Sequence, residues 1–210
     1  MKQTLLIITA LMLVVGCSSD KEEPSSQARE PIDANKLGGK DVDGDGIYLW
    51  HAPDSDKPYS GVGVEYYDDG QKSGETTYKD GAIDGKWTEW YKSGEKKSEG
   101  TYIPEMVDNE MVEKRDGLST NWHENGQKKS ETTYKDGEIV GKSTGWYENG
   151  QKWYEDNYKD GEKNGKWTRW YENGQKWTEE TYKDGYPDWD KKIEWNTSGN
   201  VIDSYGNVIE

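Results

Sequence analysis

From residue 60 onward the sequence copies itself, and that copying limits the fold more than any other feature. One series of turn glycines, Gly70, Gly94, Gly126, Gly150 and Gly174, is spaced 24, 32, 24 and 24 residues apart. A second series, Gly81, Gly137, Gly161 and Gly185, keeps the same frame with one member missing near Ile103. Trp90, Trp122, Trp146, Trp170 and Trp195 form a third. The unit is close to GKWTEWYENGQKKSETTYKDGEID, a period of 24 residues. It is broken by eight extra residues between Tyr102 and Gly117 and by one before Trp195. A chain of this kind stacks similar units and buries surface between neighbours rather than in one globular centre.

Each unit carries two glycine turns. Asn149-Gly150 and Asn173-Gly174 are pairs favoured in two-residue hairpins, because both positions tolerate positive φ. Asp136-Gly137 and Asp160-Gly161 do the same at the other end of the unit. The segments between are rich in Thr, Tyr and Trp, which suits strands, and no segment shows a helical apolar period. The expected fold is therefore all-β: an extended antiparallel sheet of tandem β-hairpins. A two-residue turn at Asn149-Gly150 sets Tyr147 opposite Lys152 and Trp146 opposite Trp153; the next turn sets Trp170 opposite Trp177. Parity then puts Tyr154 and Tyr158 on the face opposite Trp146.

Composition says what such a sheet must be made of. The 210 residues include 7 Leu, 10 Ile, 10 Val and no Phe, against 11 Trp and 15 Tyr, with a net charge of −15. Few aliphatics with high charge is the profile of disorder, yet disordered chains are poor in aromatics. The expected core is therefore a ladder of rings. One column is Trp90, Trp122, Trp146, Trp170 and Trp195; the other is Tyr78, Tyr102, Tyr134, Tyr158 and Tyr182.

The N-terminal region reads differently. Lys2 precedes an apolar run from Leu5 to Val15, too short to span a bilayer and suited to an export signal. The run ends at Val14-Val15-Gly16-Cys17, which resembles a bacterial lipoprotein lipobox, and Cys17 is the only cysteine. Residues 1–17 are thus expected to be a signal ending at a lipidated Cys17. Ser18 after the cysteine suggests the outer membrane if the cell is Gram-negative, facing the periplasm or the surface. Residues 18–45, polar and acidic with two prolines, are expected to be a flexible tether. Repeats are expected over 46–195, an inserted loop near 103–115, and a capping hairpin or tail over 196–210.

The segments YENGQKW, TYKDGE and GKWTRWY resemble the MORN-variant repeats, over about residues 47–195. Proteins with such repeats are often named toxin–antitoxin system antitoxins of the YwqK type. The resemblance implies a scaffolding or protein-binding role and carries no catalytic residues. Gly46 to Tyr67 reads as a degenerate first unit. Ser119 and Ser143 replace the first Trp of GKW, and His123 takes the place of Tyr91, Tyr147 and Tyr171 as a structural substitute.

Candidate sites are few. Asp41, Asp43 and Asp45 match the start of a calcium loop, but position 12 is Ala52, so the ligand set is incomplete and an acidic linker meeting a glycine turn is the preferred reading. No HExxH, Ser-His-Asp or Cys-His set can be assembled from His51 and His123, and the many carboxylates recur with the repeat as on a solvated face. A non-enzymatic chain without cofactor is expected. Trp87, Trp153, Trp167 and Trp177 exceed the regular column and are either packed within the sheet or displayed as binding anchors. Met106 and Met111, in the insertion, are further candidates.

Loss of the signal removes Lys2 and leaves −16, which repels nucleic acid and anionic headgroups. Membrane contact is expected only through the Cys17 lipid, and the expected partner is a protein of basic character. A cell-wall or exopolysaccharide ligand held by exposed Trp and Tyr is the alternative.

Overall fold

The computed structural model describes residues 30–40, 49–108 and 110–209. The apolar run, Cys17 and the three candidate calcium ligands Asp41, Asp43 and Asp45 lie outside these residues.

The described residues form sixteen strands: β1 (Ile32–Asp33), β2 (Gly38–Lys40), β3 (Leu49–His51), β4 (Gly61–Tyr66), β5 (Lys72–Lys79), β6 (Ala82–Trp90), β7 (Lys96–Val107) and β8 (Glu110–Arg115). β9 (Gly117–Trp122), β10 (Lys128–Lys135), β11 (Glu138–Trp146), β12 (Lys152–Lys159), β13 (Glu162–Trp170), β14 (Lys176–Lys183), β15 (Tyr186–Trp195) and β16 (Val201–Ile202) follow. Fourteen of them make one sheet in the order β1-β4-β5-β6-β7-β9 and on to β16, with β8 beside β7. All neighbours are antiparallel except β1 on β4. The expected all-β sheet of tandem hairpins is thus the fold.

The two turn types differ. At Asp160-Gly161 both residues are left-handed, with φ of 49° and 77°, and Lys159 pairs directly with Glu162. This is the two-residue mirror-image turn that matches strand twist. At Asn149-Gly150 only the glycine is left-handed, with φ 82°. There Gly150 N–H donates to Tyr147 O and Tyr147 N–H donates to Gln151 O, each at 2.9 Å. This three-residue loop ends in a bulge. Gly145 therefore faces Tyr154, Trp146 faces Lys152, and Trp153 is left without a cross-strand partner. The expected pairs Trp146/Trp153 and Trp170/Trp177 do not form, since Trp170 faces Lys176 by the same bulge.

The bulge sets the chemistry of one face. It places Lys152 and Glu155, three residues apart, on the same side, where Nζ and Oε2 meet at 2.6 Å. Lys176 and Glu179 repeat this at 2.8 Å, and Lys96 and Glu99 at 2.9 Å. The same lysines cover the regular Trp column: Lys152 lies 5.5 Å from the Trp170 ring and Lys176 5.1 Å from Trp195. Beneath run the buried threonines Thr88, Thr120, Thr144 and Thr168. Lysine stems and heads thus shield the rings on this side.

Neighbouring hairpins are also tied at their ends. Tyr67, Tyr91, Tyr147 and Tyr171 donate their phenols to the carbonyls of Trp90, Trp122, Trp170 and Trp195, at 2.6 to 3.0 Å. His123 takes the same place, donating Nε2–H to Trp146 O at 2.8 Å, as its column predicted. Asn125, Asn149 and Asn173 donate Nδ2–H to Glu148 O, Glu172 O and Thr197 O of the next turn at 2.8 to 2.9 Å.

Three expected boundaries move. Residues 30–40 are part of the fold: β1 pairs with the edge of β4, Asp33 caps a short 3-10 turn and Leu37 is buried. Ile32 and Leu37 supply apolar surface that the β4 edge can cover, so residues 30–40 do not form part of a tether. β3 pairs with β2 in a separate two-stranded sheet, so the described part of the expected first unit, 49–58, is not a repeat hairpin. With Tyr59, Val64, Ala82 and His51 it makes a small buried core at the N-terminal end of the array. The insertion is not an irregular loop either. β7 and β8 pair continuously from Tyr102↔Arg115 to Val107↔Glu110, lengthening one hairpin by four residues on each side. An even number per strand keeps every side chain on its original face. At the other end, β16 returns onto Glu194 and Trp195, and residues 196–209 close as a capping hairpin with two tight turns.

Candidate binding surface

Cross-strand partners share a face, so the register assigns the second face directly. It carries Tyr154, Asp156, Tyr158, Lys163, Trp167, Arg169, Thr178, Glu180 and Tyr182. Trp167 is buried between Tyr158 and Tyr182, with ring centroids at 5.1 and 5.2 Å, and its Nε1–H donates to Asn157 O at 2.9 Å. Lys163 sits 4.0 Å over that ring. Trp87 holds the equivalent place in the first repeats, 5.9 Å from Tyr102 and under Arg115. Trp87 and Trp167 are thus members of stacks within the sheet rather than displayed anchors. Ser119 and Ser143, where a Trp is missing, are buried, and Ser143 exchanges a 2.7 Å hydroxyl bond with Thr132.

Arg169 anchors the polar centre of this face. It donates from both terminal nitrogens to the Asp156 carboxylate, Nη2 to Oδ2 at 3.0 Å, and lies 5.3 Å from the Tyr154 and Trp167 rings. Burial raises the Asp156 carboxyl above its ordinary range despite Arg169. Tyr182 is pushed up to about 12 by burial and by its 2.7 Å bond to Glu180 Oε2. Neither Arg169 nor Asp156 was singled out by sequence. The available signal was variation within the repeat: the residue before the regular Trp reads Glu89, Asn121, Gly145 and Arg169.

Trp153 and Trp177 differ from Trp167. As bulge residues they lack a cross-strand neighbour, and each is 46% exposed. Trp153 is braced by Tyr147 at 6.4 Å and Tyr154 at 5.0 Å, and Trp177 by Tyr171 at 6.0 Å. Each borders a groove. That at Trp153, of about 360 Å³, includes His123, Lys129, Tyr147, Glu148 and Glu172. That at Trp177, of about 270 Å³, includes Arg169, Glu180, Lys192 and Glu194.

The β7–β8 hairpin is the other displayed feature. Its four added residues per strand carry it roughly 13 Å beyond the rim of its neighbours. Met106 faces Met111, and Met106, Val107 and Val112 are exposed beside Asp108, Glu110 and Glu113. A further exposed set, Tyr186, Trp189 and Ile193, lies on β15. Among the described residues no group of three or more His, Cys, Asp or Glu side chains is placed to hold a metal ion.

No match to the chain is found among curated proteins. The MORN repeat variant matches five segments, residues 59–80, 83–103, 115–136, 139–160 and 163–184. Each contains one of the three-residue turns that end at Gly70, Gly94, Gly126, Gly150 and Gly174, with the two strands that flank it. The Asp-Gly turns and the extended β7–β8 turn lie between segments. Together the five cover more than half of the chain, which belongs to the MORN repeat variant family.

Proposed function

We propose that the chain is a non-catalytic binding module of the bacterial envelope, held by lipid on Cys17, whose partner is a basic protein. The observation that supports this best is the projecting β7–β8 hairpin. It interrupts an otherwise regular array and presents the Met106–Met111 pair and Val112 within an acidic surround. Methionine surfaces adapt to a partner, and carboxylates around them steer a basic one. An antitoxin-like or immunity role is the finer form of this reading, in which the bound partner is a toxin.

The repeat itself supplies the test. Replacing Ile103–Asp116 with the six residues that join Tyr158 to Gly165 restores the ordinary hairpin and puts the counterpart of Lys163 where Arg115 covers Trp87. A photo-crosslinker at Met106 in envelope preparations is expected to give one saturable adduct with a basic protein. Unlabelled parent protein is expected to compete for it, and the shortened variant is not. Equal competition by the shortened variant contradicts the reading. Cys17→Ser is expected to move the protein from the membrane to the soluble fraction, and unchanged fractionation contradicts the anchor.

A further inference from the structure

Trp153 and Trp177 occupy one position of the repeat, 24 residues apart, on β12 and β14 with β13 between them. Two strand spacings separate them, about 10 Å, across the strand direction. Both rings are half exposed and braced by tyrosines. They lose little freedom on meeting a ligand. The same column reads Ser73, Lys97 and Lys129 in the earlier repeats, so the platforms occur only in the last two.

We propose that Trp153 and Trp177 are the two stacking platforms of a site for an extended β-1,4-linked glycan. Two strand spacings match the advance of two pyranose rings along such a chain, so alternate sugars lie flat on successive tryptophans. The apolar face of a pyranose meets each ring. Glu148 and Glu172 line the groove at Trp153, and Glu180 and Glu194, bridged by Lys192, line that at Trp177, which supplies polar groups for the hydroxyls at the sugar edges. Arg169, ion-paired with Asp156, lines the Trp177 groove.

Charge and pattern select this occupant. A single-stranded nucleic acid also stacks on spaced rings, but it needs a cationic track, and this chain carries −15. A protein anchor needs a contiguous apolar patch. Here the β13 residue in register between Tyr154 and Thr178, beside the two rings, is the charged Arg169. A neutral, periodic ligand fits a periodic pair of platforms. Strand twist rotates one platform from the other by roughly 45°, which suits a single twisted chain. The site stands on residues other than those of the β7–β8 hairpin.

The test is tryptophan fluorescence and calorimetry on the full-length protein in detergent, titrated with N-acetylchitohexaose, cellohexaose, their disaccharides and maltohexaose. Saturable binding of at least one β-1,4 hexasaccharide is expected, with its disaccharide, which reaches one ring only, much weaker. Trp153→Ala and Trp177→Ala are each expected to weaken the hexasaccharide about tenfold and to remove the preference for length. Trp153→Tyr and Trp177→Tyr, which keep a ring, are expected to retain most of the affinity, while Trp189→Ala leaves it unchanged. No saturable binding of either β-1,4 hexasaccharide overturns the proposal. So does equal binding of maltohexaose, or affinity indifferent to both alanine variants in protein with parental circular dichroism. None of these outcomes alters the hairpin crosslink, so the two readings fail separately.

Discussion

His123 donates its Nε2–H to the carbonyl of Trp146 at 2.8 Å, the bond that four tyrosines make elsewhere in the array. An imidazole thus does the work of a phenol, because the position asks only for a donor at the right reach. His123→Tyr is expected to preserve or raise the melting temperature. His123→Ala leaves the Trp146 carbonyl without this donor and is expected to cost about 1 kcal/mol. A thermal melt of both variants checks it; equal melting of parent and alanine variant refutes a structural role for this bond.

Gly145 is required by a close approach rather than by its backbone. A Cβ added there would collide with the Tyr154 ring. The Tyr154 ring cannot swing aside freely, since Trp153 meets its edge at 5.0 Å and Arg169 lies 5.3 Å from its face. Gly145→Ala is expected to lose about 1–3 kcal/mol by overpacking. Added to Tyr154→Ala, it is expected to cost much less, and a double-mutant cycle in urea measures the difference. Strict additivity would mean the ring is not the obstacle.

Asp156 and Glu179 are expected to respond to pH with opposite sign. Hydrogen bonds from Lys166 and then Lys176 hold Glu179 below its ordinary 4.5. Its contribution, measured as the stability gap between parent and Glu179→Gln, is fully present above pH 4.5. It disappears as pH falls through the depressed folded value. Asp156 is raised above its ordinary 3.8, chiefly by burial. The gap between parent and Asp156→Asn is therefore largest below pH 3.8 and shrinks as pH rises through the raised value. Denaturant titrations of the three proteins from pH 3 to 7 decide this, and gaps that move together with pH would show the assignment to be wrong.

Removing the Asp156 carboxylate altogether leaves Arg169 facing Tyr154 and Trp167 without its anion. Asp156→Ala is expected to cost about 3 kcal/mol. Asp156→Ala combined with Arg169→Leu is expected to recover part of that loss, because no uncompensated charge then remains. Chemical denaturation of both variants measures the recovery, and a double variant no more stable than Asp156→Ala would count against a buried ion pair.

Much of the fold was legible in the primary structure because a repeat states each rule five times. The strand segments, the left-handed glycines, the tyrosine column and the role of His123 all follow from comparing one unit with the next. Aromatic richness pointed to order where aliphatic counting read disorder, but the expected ladder of two ring columns is not the core. Among the described residues the buried rings besides His51 are Tyr59 and Trp167, and most buried polar positions are threonines and serines. The candidate site was legible only in part. Trp153, Trp167 and Trp177 are alike in a list of surplus tryptophans. Yet Trp167 sits on a paired position between two tyrosines, and the other two sit on bulges.

Sequence alone determined the period, the hairpins, the turn positions and the residues available for stacking. Register across the Asn-Gly turns was decided only by the tertiary structure, because Asn-Gly suits both a two-residue turn and a three-residue turn with a bulge. Contacts between hairpins match the second: Asn149 accepts from Gln151 N–H within its own turn and donates to Glu172 O of the next. That single residue of slip places Lys152 with Glu155, pairs Trp146 with Lys152, and turns Trp153 and Trp177 outward. The physical reason is that side-chain direction alternates at every residue of a strand. A choice made at the turn by bonds to a neighbouring hairpin therefore selects which rings are buried and which are displayed.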